Sequence, residues 1–305
     1  MRLRPLFAAS FLLISSAAVV FAQAPDIKAL LNAAKSSEAQ TRRQAAEDLG
    51  NSRNPAAIPA LKTLLADPHP FVRQAAAQSF AVVSDPSVVG PLVVALKDTA
   101  PSVRSAAMRV LGKLRSADAV GPLSEILSDP DPIARKTAAS SLGEIASKAA
   151  TKALAAALSD KDPGVRGEAA KSLGLLADPA AHDALSAALK DADAGVRVQA
   201  AAALAKSGDV SGLPSAYAAL KSKDAMARQQ AASTVGLVGD KTGLAALEAA
   251  LAVEKDANAR GMMEFARAQL KSRLGIVDKP AVKKAAAKKA PAKAAKPAPV
   301  KKESK

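Results

Sequence analysis

Cysteine and tryptophan are absent from the 305-residue chain, and aromatic residues make up only 2% of it. Without cysteine there is no disulfide, no catalytic thiol and no cysteine-ligated zinc. A core with so few aromatic rings must consist of Ala, Leu and Val, which suits closely packed helices better than a β-sandwich. Since 49% of the residues are hydrophobic, we expect a sizeable helical core.

Residues that commonly carry catalysis are also scarce. The two histidines, His69 and His182, lie far apart in the sequence, and neither is followed by glutamate. The sequence has neither the G-x-S-x-G nucleophile elbow nor the phosphate-binding loop G-x-x-x-x-G-K-[ST]. With so few titratable candidates for a catalytic or metal site, we predict a protein that is not an enzyme and binds no cofactor or metal.

Residues 1–22 have the features of a secretory signal peptide. Arg2 and Arg4 precede an apolar run from about Leu6, and Val20 and Ala22 provide small residues before a cleavage site. The run is shorter than the ~20 apolar residues that a membrane-spanning helix needs. We therefore predict cleavage after Ala22 and an exported protein, periplasmic or secreted, with an uncleaved membrane anchor as the alternative.

The basic charge is concentrated at the other end of the chain. The net charge is +15, and residues 276–305 contain ten lysines against Asp278 and Glu303. This Lys/Ala/Pro-rich composition predicts a disordered tail. Candidate contacts to an anionic envelope polymer or lipid are Lys283, Lys284, Lys288 and Lys289. The tail resembles those of linker histones, but a signal peptide makes nucleic acid the less expected partner, and a purely solubilising tail is the alternative.

Between these two segments the chain repeats itself every 31 residues. An arginine recurs with this spacing, with an alanine three positions later and a large apolar residue seven positions later in every copy. The arginines are Arg42, Arg73, Arg104, Arg135, Arg166, Arg197 and Arg228. A leucine series from Leu65 to Leu251 keeps the same period. The array is less regular at its C-terminal end, where Ala259 stands in the arginine register and Arg260 comes one residue late.

Each copy predicts two helices, for example over 87–98 and 103–114, because apolar residues recur there at intervals of three and four. Hydrogen-bond acceptors precede the first helix of each copy, at Asn54, Asp85, Ser116, Ser147, Asp178, Asp209 and Asp240. A pair of this size cannot bury its apolar stripe alone, whereas stacked pairs cover one another. The sequence therefore predicts an all-α solenoid of about eight stacked two-helix repeats over residues 23–275.

The pattern D-x-x-P-x-V-R-x-x-A-A-x-x-L-G, well matched by residues 178–204, resembles the HEAT-like repeats of the phycobilisome-lyase type. This resemblance implies a solenoid that binds other proteins along a concave face lined by the second helices. It also leaves an alternative, because some members of the superfamily are enzymes: bilin lyases, a di-iron deoxyhypusine hydroxylase and alkylpurine DNA glycosylases. A lyase or oxidoreductase is therefore the alternative to a protein-binding scaffold.

An acid six residues before the arginine recurs in five consecutive copies. A catalytic pair is needed once, so the repetition indicates a structural role. In the family that the chain resembles, these positions form a hydrogen-bonded ladder between the turns of adjacent repeats. The ladder residues are Asp67, Arg73, Asp98, Arg104, Asp129, Arg135, Asp160, Arg166, Asp191 and Arg197. Ser222 replaces the acid before Arg228, so we expect the C-terminal repeats to be looser.

The outward polar positions of the second helices differ from copy to copy. A surface that varies on a repeated scaffold is typical of a partner-binding face, although a solvated helix face tolerates the same variation. The candidate contacts on this face are Gln78, Arg109, Lys113, Glu144, Glu168 and Lys171.

Overall fold

The computed structural model describes residues 26–83 and 85–277. Within these ranges the chain forms sixteen α-helices and five 3-10 turns, with no strand. The helices alternate as first and second members of eight pairs, called units here, which confirms the predicted all-α solenoid. The signal peptide predicted over 1–22 and nearly all of the tail predicted over 276–305 lie outside the described residues.

The helix boundaries repeat with the sequence period. The first helices are α1 (Ile27–Ala33), α3 (Ile58–Leu64), α5 (Val89–Ala95), α7 (Val120–Ile126), α9 (Thr151–Ala157), α11 (His182–Ala188), α13 (Leu213–Ala219) and α15 (Lys241–Val253). The second helices are α2 (Ala39–Asn51), α4 (Pro70–Val83), α6 (Pro101–Lys113), α8 (Pro132–Ile145), α10 (Pro163–Leu176), α12 (Ala194–Ala205), α14 (Ala225–Val238) and α16 (Ala257–Arg273).

Most first helices are shorter than the sequence predicts. The segment predicted as one helix over 87–98 is a 3-10 turn, Pro86–Val88, followed by the seven-residue helix α5. The side chain of Asp85 accepts a hydrogen bond from the backbone N–H of Ser87 and so caps this turn. Five of the seven predicted caps make such a bond. Ser116 and Ser147 make no side-chain cap bond, which corrects the prediction there.

Consecutive second helices pack directly against each other through small residues. A β-carbon on Gly50 would stand 2.6 Å from that of Ser79 on the next second helix, and Gly143 meets Ser172 in the same way. The Ser79 hydroxyl donates a hydrogen bond of 2.7 Å to the Ala46 carbonyl of the preceding helix. Consecutive first helices approach each other less closely, and most of them meet the short turn that opens the next unit. The second helices therefore provide the closest contacts between units.

The apolar stripes of both helices are buried between units, as the sequence predicts. Leucines such as Leu61, Leu92 and Leu123 on the first helices are fully buried, together with Leu111 and Leu142 on the second helices. The buried side chains form two clusters, one from Ala34 to Leu204 and the other from Val198 to Leu270. The core thus divides near α12 and α13.

The recurring arginines connect each unit to the next. Arg135 donates from Nε and Nη2 to the two carboxylate oxygens of Asp160 in the following unit, at 2.6 and 2.8 Å. Its Nη1 donates to the carbonyls of Asp129 and Pro130 in its own unit. One guanidinium thus fixes two consecutive turns with a bidentate geometry that lysine cannot reproduce. The same bidentate pairing joins Arg42 to Asp67, Arg73 to Asp98, and Arg166 to Asp191.

The acid and arginine of one unit, such as Asp160 and Arg166, do not pair through the carboxylate. Arg166 bonds the backbone carbonyl of Asp160, and its carboxylate partner is Asp191. Pairing is also incomplete along the array. Among the described residues, Arg104 bonds the carbonyls of Asp98 and Thr99 and makes no bond to the predicted ladder residue Asp129.

In the C-terminal units, one arginine lacks the expected carboxylate partner and another pairs with a glutamate in place of an aspartate. Within the described part of the chain, Arg197 bonds only the carbonyls of Asp191 and Ala192, because Ser222 offers no carboxylate. Arg228, however, makes a bidentate pair with Glu254, at 2.6 and 2.8 Å. Glu254 lies 26 residues after its arginine, one more than in the other pairs. This extra residue accounts for the late position of Arg260.

The arginines hold the carboxylates of the ladder in their charged form. A hydrogen bond from the Arg135 side chain lowers the pKa of Asp160, and Arg42, Arg73 and Arg166 act in the same way on Asp67, Asp98 and Asp191. The pair of Arg228 lowers the pKa of Glu254 to about 2. Each of these acids therefore contributes stability that depends on its ionisation.

Asp160 and Asp129 allow the stabilising role of the ladder to be tested against a control in the same chain. Asp160 and Asp129 both accept the backbone N–H two residues ahead, but only Asp160 also accepts an arginine. In that pair the side chains of Arg135 and Asp160 are only 5% and 10% exposed. Asp160→Asn should lower the free energy of unfolding by about 1–3 kcal/mol, and Asp129→Asn by about 0.5 kcal/mol or less. Urea unfolding measures both, and equal losses would contradict a ladder role for Asp160.

The lowered carboxyl pKa values also predict the acid response. A group whose pKa is lower in the folded state stabilises the fold above its unfolded pKa, and this contribution disappears as the pH falls through the folded pKa. Stability should therefore fall between about pH 4.5 and pH 2. Urea midpoints across this range should show the difference between wild type and Asp160→Asn shrinking with acidification. A difference that is constant down to pH 2 would contradict the assignment.

Candidate interaction surface

The second helices present one continuous row of solvent-facing side chains, called the second-helix face here. The candidate residues Gln78, Arg109, Lys113, Glu144 and Lys171 are exposed on this face, on helices α4, α6, α8 and α10. Glu168 is partly buried, and its carboxylate forms an ion pair with Lys171, whose Nζ donates to it at 2.9 Å. The fold thus places all six candidates on one side of the stack, at positions set by the repeat.

A shallow hollow of about 400 Å³ opens on this face between α2 and α4. Gln78 lines it together with Phe71, Arg43 and Glu47. Phe71 lies seven residues before Gln78, two turns away on the same side of the helix, and is 60% exposed. Its ring contacts His69, with centroids 5.3 Å apart. The hollow therefore combines an exposed aromatic ring with amide and charged groups.

Exposed apolar side chains recur in the register of Phe71 and were not among the predicted contacts. Ile133 on α8 and Met226 on α14 occupy the same position, two residues before the arginine, and are 68% and 75% exposed. Other copies have Gln40, Ser102 or glycine there. Aligning the copies would have revealed these residues, because large apolar side chains appear at a position where the scaffold needs none.

Basic side chains predominate along the middle of the second-helix face. They are Arg109, Lys113, Lys136, Lys171 and Lys206, against Glu144 and Glu168. The carboxylate of Glu144 lies over Gly112 of the preceding second helix. An acidic partner surface would complement this part of the face.

No metal centre is evident in residues 26–83 and 85–277, where no three His, Cys, Asp or Glu residues come together as ligands. His69 stands in the turn before α4, and His182 begins α11 in another unit. His182 Nε2 lies 2.7 Å from a carboxylate oxygen of Asp209, the capping acid of the next unit. Hydrogen bonds to Asp209 and then Asp183 raise the pKa of His182. The imidazole thus contributes to an inter-unit contact.

None of the helices in the described part of the chain combines the length and apolarity needed to cross a membrane.

Comparison with known proteins identifies the repeat. The family model of HEAT repeats matches residues 27–89, 72–129, 120–204 and 183–268. These overlapping matches extend from α1 into α16 and cover most of the chain. A search of curated proteins finds no significant match.

Solved structures share the architecture at low sequence identity. YibA of Escherichia coli aligns with a TM-score of 0.56 and 20% identity, over 80% of this chain and 92% of that one. The CpcE–CpcF complex of the phycocyanin lyase from Nostoc gives 0.47 and 21%, over 80% and 94%. Human deoxyhypusine hydroxylase gives 0.37 and 21%, over 82% and 97%. Only the first likeness is close enough to support an argument, and at this identity it concerns the fold alone. The arginine register, the stacked helix pairs and the family match together establish that the chain belongs to the HEAT repeat family.

Proposed function

We propose that the protein is an exported, non-enzymatic scaffold that binds a partner protein along its second-helix face. The observation that carries the proposal is the recurrence of Phe71, Ile133 and Met226 as exposed side chains in one register. The three side chains lie on α4, α8 and α14 of one face, with polar and basic side chains between them. Apolar anchors spaced along such a face would suit an elongated partner.

The geometry supports a partner with apolar anchors and acidic surroundings. Apolar side chains in a central position contribute most of the affinity of an interface, while charges around them influence specificity and association rate. Ile133 lies on the same helix as Lys136, between the basic residues of α6 and α10. We therefore place the centre of the interface at α8.

A pair of substitutions tests this assignment. Ile133→Asp puts a carboxylate at the proposed centre, whereas Val94→Asp changes a 74% exposed residue on first helix α5. Both should leave Tm almost unchanged, because neither side chain is buried. Proximity labelling in the cell envelope should recover a partner at least tenfold less with Ile133→Asp, and equally with wild type and Val94→Asp.

Equal recovery with all three forms would overturn the assignment to the second-helix face. The enzyme alternative has its own check on the same purified protein. Visible absorption and metal analysis should show neither a chromophore nor a stoichiometric metal ion. Either one would replace the scaffold proposal with a lyase or oxidoreductase.

The proposal includes export through residues 1–22 and attachment to an anionic surface through residues 276–305. Its support is the sequence: arginines before an apolar run at one end, and ten lysines against two acids at the other. Clustered lysines attract anionic polymers and lipids through screened electrostatics, so the attachment should be weak and sensitive to salt.

Deleting residues 277–305 tests the tail. The full chain should be retained on an anionic matrix such as heparin at low salt and released as salt is raised, while the deleted form passes through. Replacing Lys283, Lys284, Lys288 and Lys289 by glutamine should reduce retention in part, because it removes four of the ten lysines. Retention that is unchanged after deletion would show that the solenoid, not the tail, carries the binding.

A further inference from the structure

A cavity of about 720 Å³ lies between α10, α11 and α12. Leu173, Leu185 and Leu204 provide one leucine from each helix to its lining, and Ala203 adds a small apolar surface. The volume falls within the ~300–1,000 Å³ typical of small-molecule sites, which are mostly apolar with a few placed polar groups.

One residue that lines the cavity departs from the repeat. Ser207 stands where other units place a large apolar side chain: Val83, Leu114, Ile145, Leu176 and Val238. Of these, Ile145 and Leu176 are buried. The Ser207 hydroxyl instead donates to the Leu204 carbonyl at 2.7 Å. The other serine in this register, Ser52, belongs to the first unit. An internal unit thus has a small polar side chain at a position where the two preceding units bury Ile145 and Leu176.

An unpaired cation lies at the rim of this cavity. The Nζ atom of Lys206 is 3.7 Å from where a β-carbon on Gly174 would stand, above the seam between α10 and α12. Within residues 26–83 and 85–277 it has no hydrogen bond or ion pair. Partial burial, and then the nearby charge of Lys171, lower the pKa of Lys206. An anion beside this ammonium group would favour its charged form and so oppose the lowering of its pKa.

The acids around the cavity already have partners. Asp209 contacts His182 at 2.7 Å and accepts the backbone N–H of Ser211. Asp178 accepts the Thr151 hydroxyl at 2.6 Å and a backbone N–H. Each acid thus has hydrogen-bond donors within the fold, whereas the ammonium group of Lys206 has no hydrogen-bond partner among the described residues.

We propose that this cavity binds a small amphiphilic carboxylate, with its aliphatic body against Leu173, Leu185 and Leu204 and its carboxylate on Lys206. The apolar lining accounts for the body and the single ammonium group for the head. Lys206 also belongs to the basic side chains of the second-helix face, but the proposal does not rest on the partner proposed above, since it needs neither Ile133 nor a second protein.

Another unit of the same chain provides the matched control. Lys113 occupies the register of Lys206 on α6 and is likewise exposed. Around it, however, Phe80 stands in place of Leu173, Val110 in place of Ala203, and Leu114 in place of Ser207. Lys113 thus has the same charge without the small residues that leave the cavity open.

Calorimetric titration of the full chain with decanoate at physiological salt tests the site. Wild type and Lys113→Met should bind with one stoichiometric site, and Lys206→Met at least tenfold more weakly. Ser207→Leu should abolish this binding while it raises Tm, because it fills the cavity with the side chain that other units have. Decyltrimethylammonium, with the opposite charge, should not bind at the site. The basic tail is present in every variant, so differences among them do not come from it.

Equal weakening by Lys206→Met and Lys113→Met would overturn the proposal, as would unchanged binding in Ser207→Leu. No binding of decanoate to wild type would also overturn it. A parallel titration with the blocked peptide acetyl-Leu-Leu-Glu-amide separates the two sources of this chemistry. If the peptide binds in a Lys206-dependent way and decanoate does not, the cavity serves a segment of a partner protein and the small-molecule proposal is wrong.

Discussion

The close approach of consecutive second helices is the contact on which the architecture depends. At Gly50 and Gly143 the neighbouring backbone lies so near that a β-carbon would collide with the next helix. Interiors are packed densely enough that a larger side chain there would separate the units and uncover the leucines between them. The arginines act on top of this contact, since each guanidinium bonds two successive turns and so fixes how the units are aligned. The helix packing and the arginine bonds both fix the alignment of neighbouring units. The outward-facing side chains take no part in either contact and are free to vary.

The first and the last second helix of the array each have a neighbouring second helix on one side only. Asp48 on α2 stands in the register where later second helices place Ser79, Ser141 or other small buried residues. Glu264 on α16 stands where internal helices place buried alanines or Met108. A carboxylate on each end face meets water and disfavours the addition of another unit. Inside the array the contacts between units are uneven. Among the residues that the structure describes, Arg197 has no carboxylate partner, and the buried core divides into two clusters near the same place.

The sequence predicted the helix pairs and the buried leucines because a 31-residue period repeats each apolar position in every unit. It also predicted the register of the arginines and the side of the stack on which Gln78 and Lys171 lie. It could not predict that Arg228 would pair with Glu254. Compared with the aspartates of the other pairs, this acid stands one residue later in the chain and has one more methylene group, and the two differences compensate for each other. The missing Arg104–Asp129 bond could not be predicted either, because these residues have the same types and spacing as the pairs that form. The exposure of Ile133 and Met226 could not be read from an apolar residue type alone, because helices place apolar side chains both in the core and on the surface.

A repeat array provides its own reference, because each position has counterparts on the same backbone in other units. Departures that meet water, such as Asp48 and Glu264, follow from their place at the ends. Exposed apolar residues, such as Ile133, lie outside the buried core and do not change its packing. Ser207 differs from both, because it lies in an internal unit and lines the cavity at a position that is apolar in most other units. Burial of a leucine side chain is worth about 1.5–3 kcal/mol, so a serine at a position where the preceding unit buries Leu176 forgoes some of that stability. Since neither packing nor the end of the array accounts for the departure, and an unpaired ammonium group stands beside it, binding is the explanation that uses both facts.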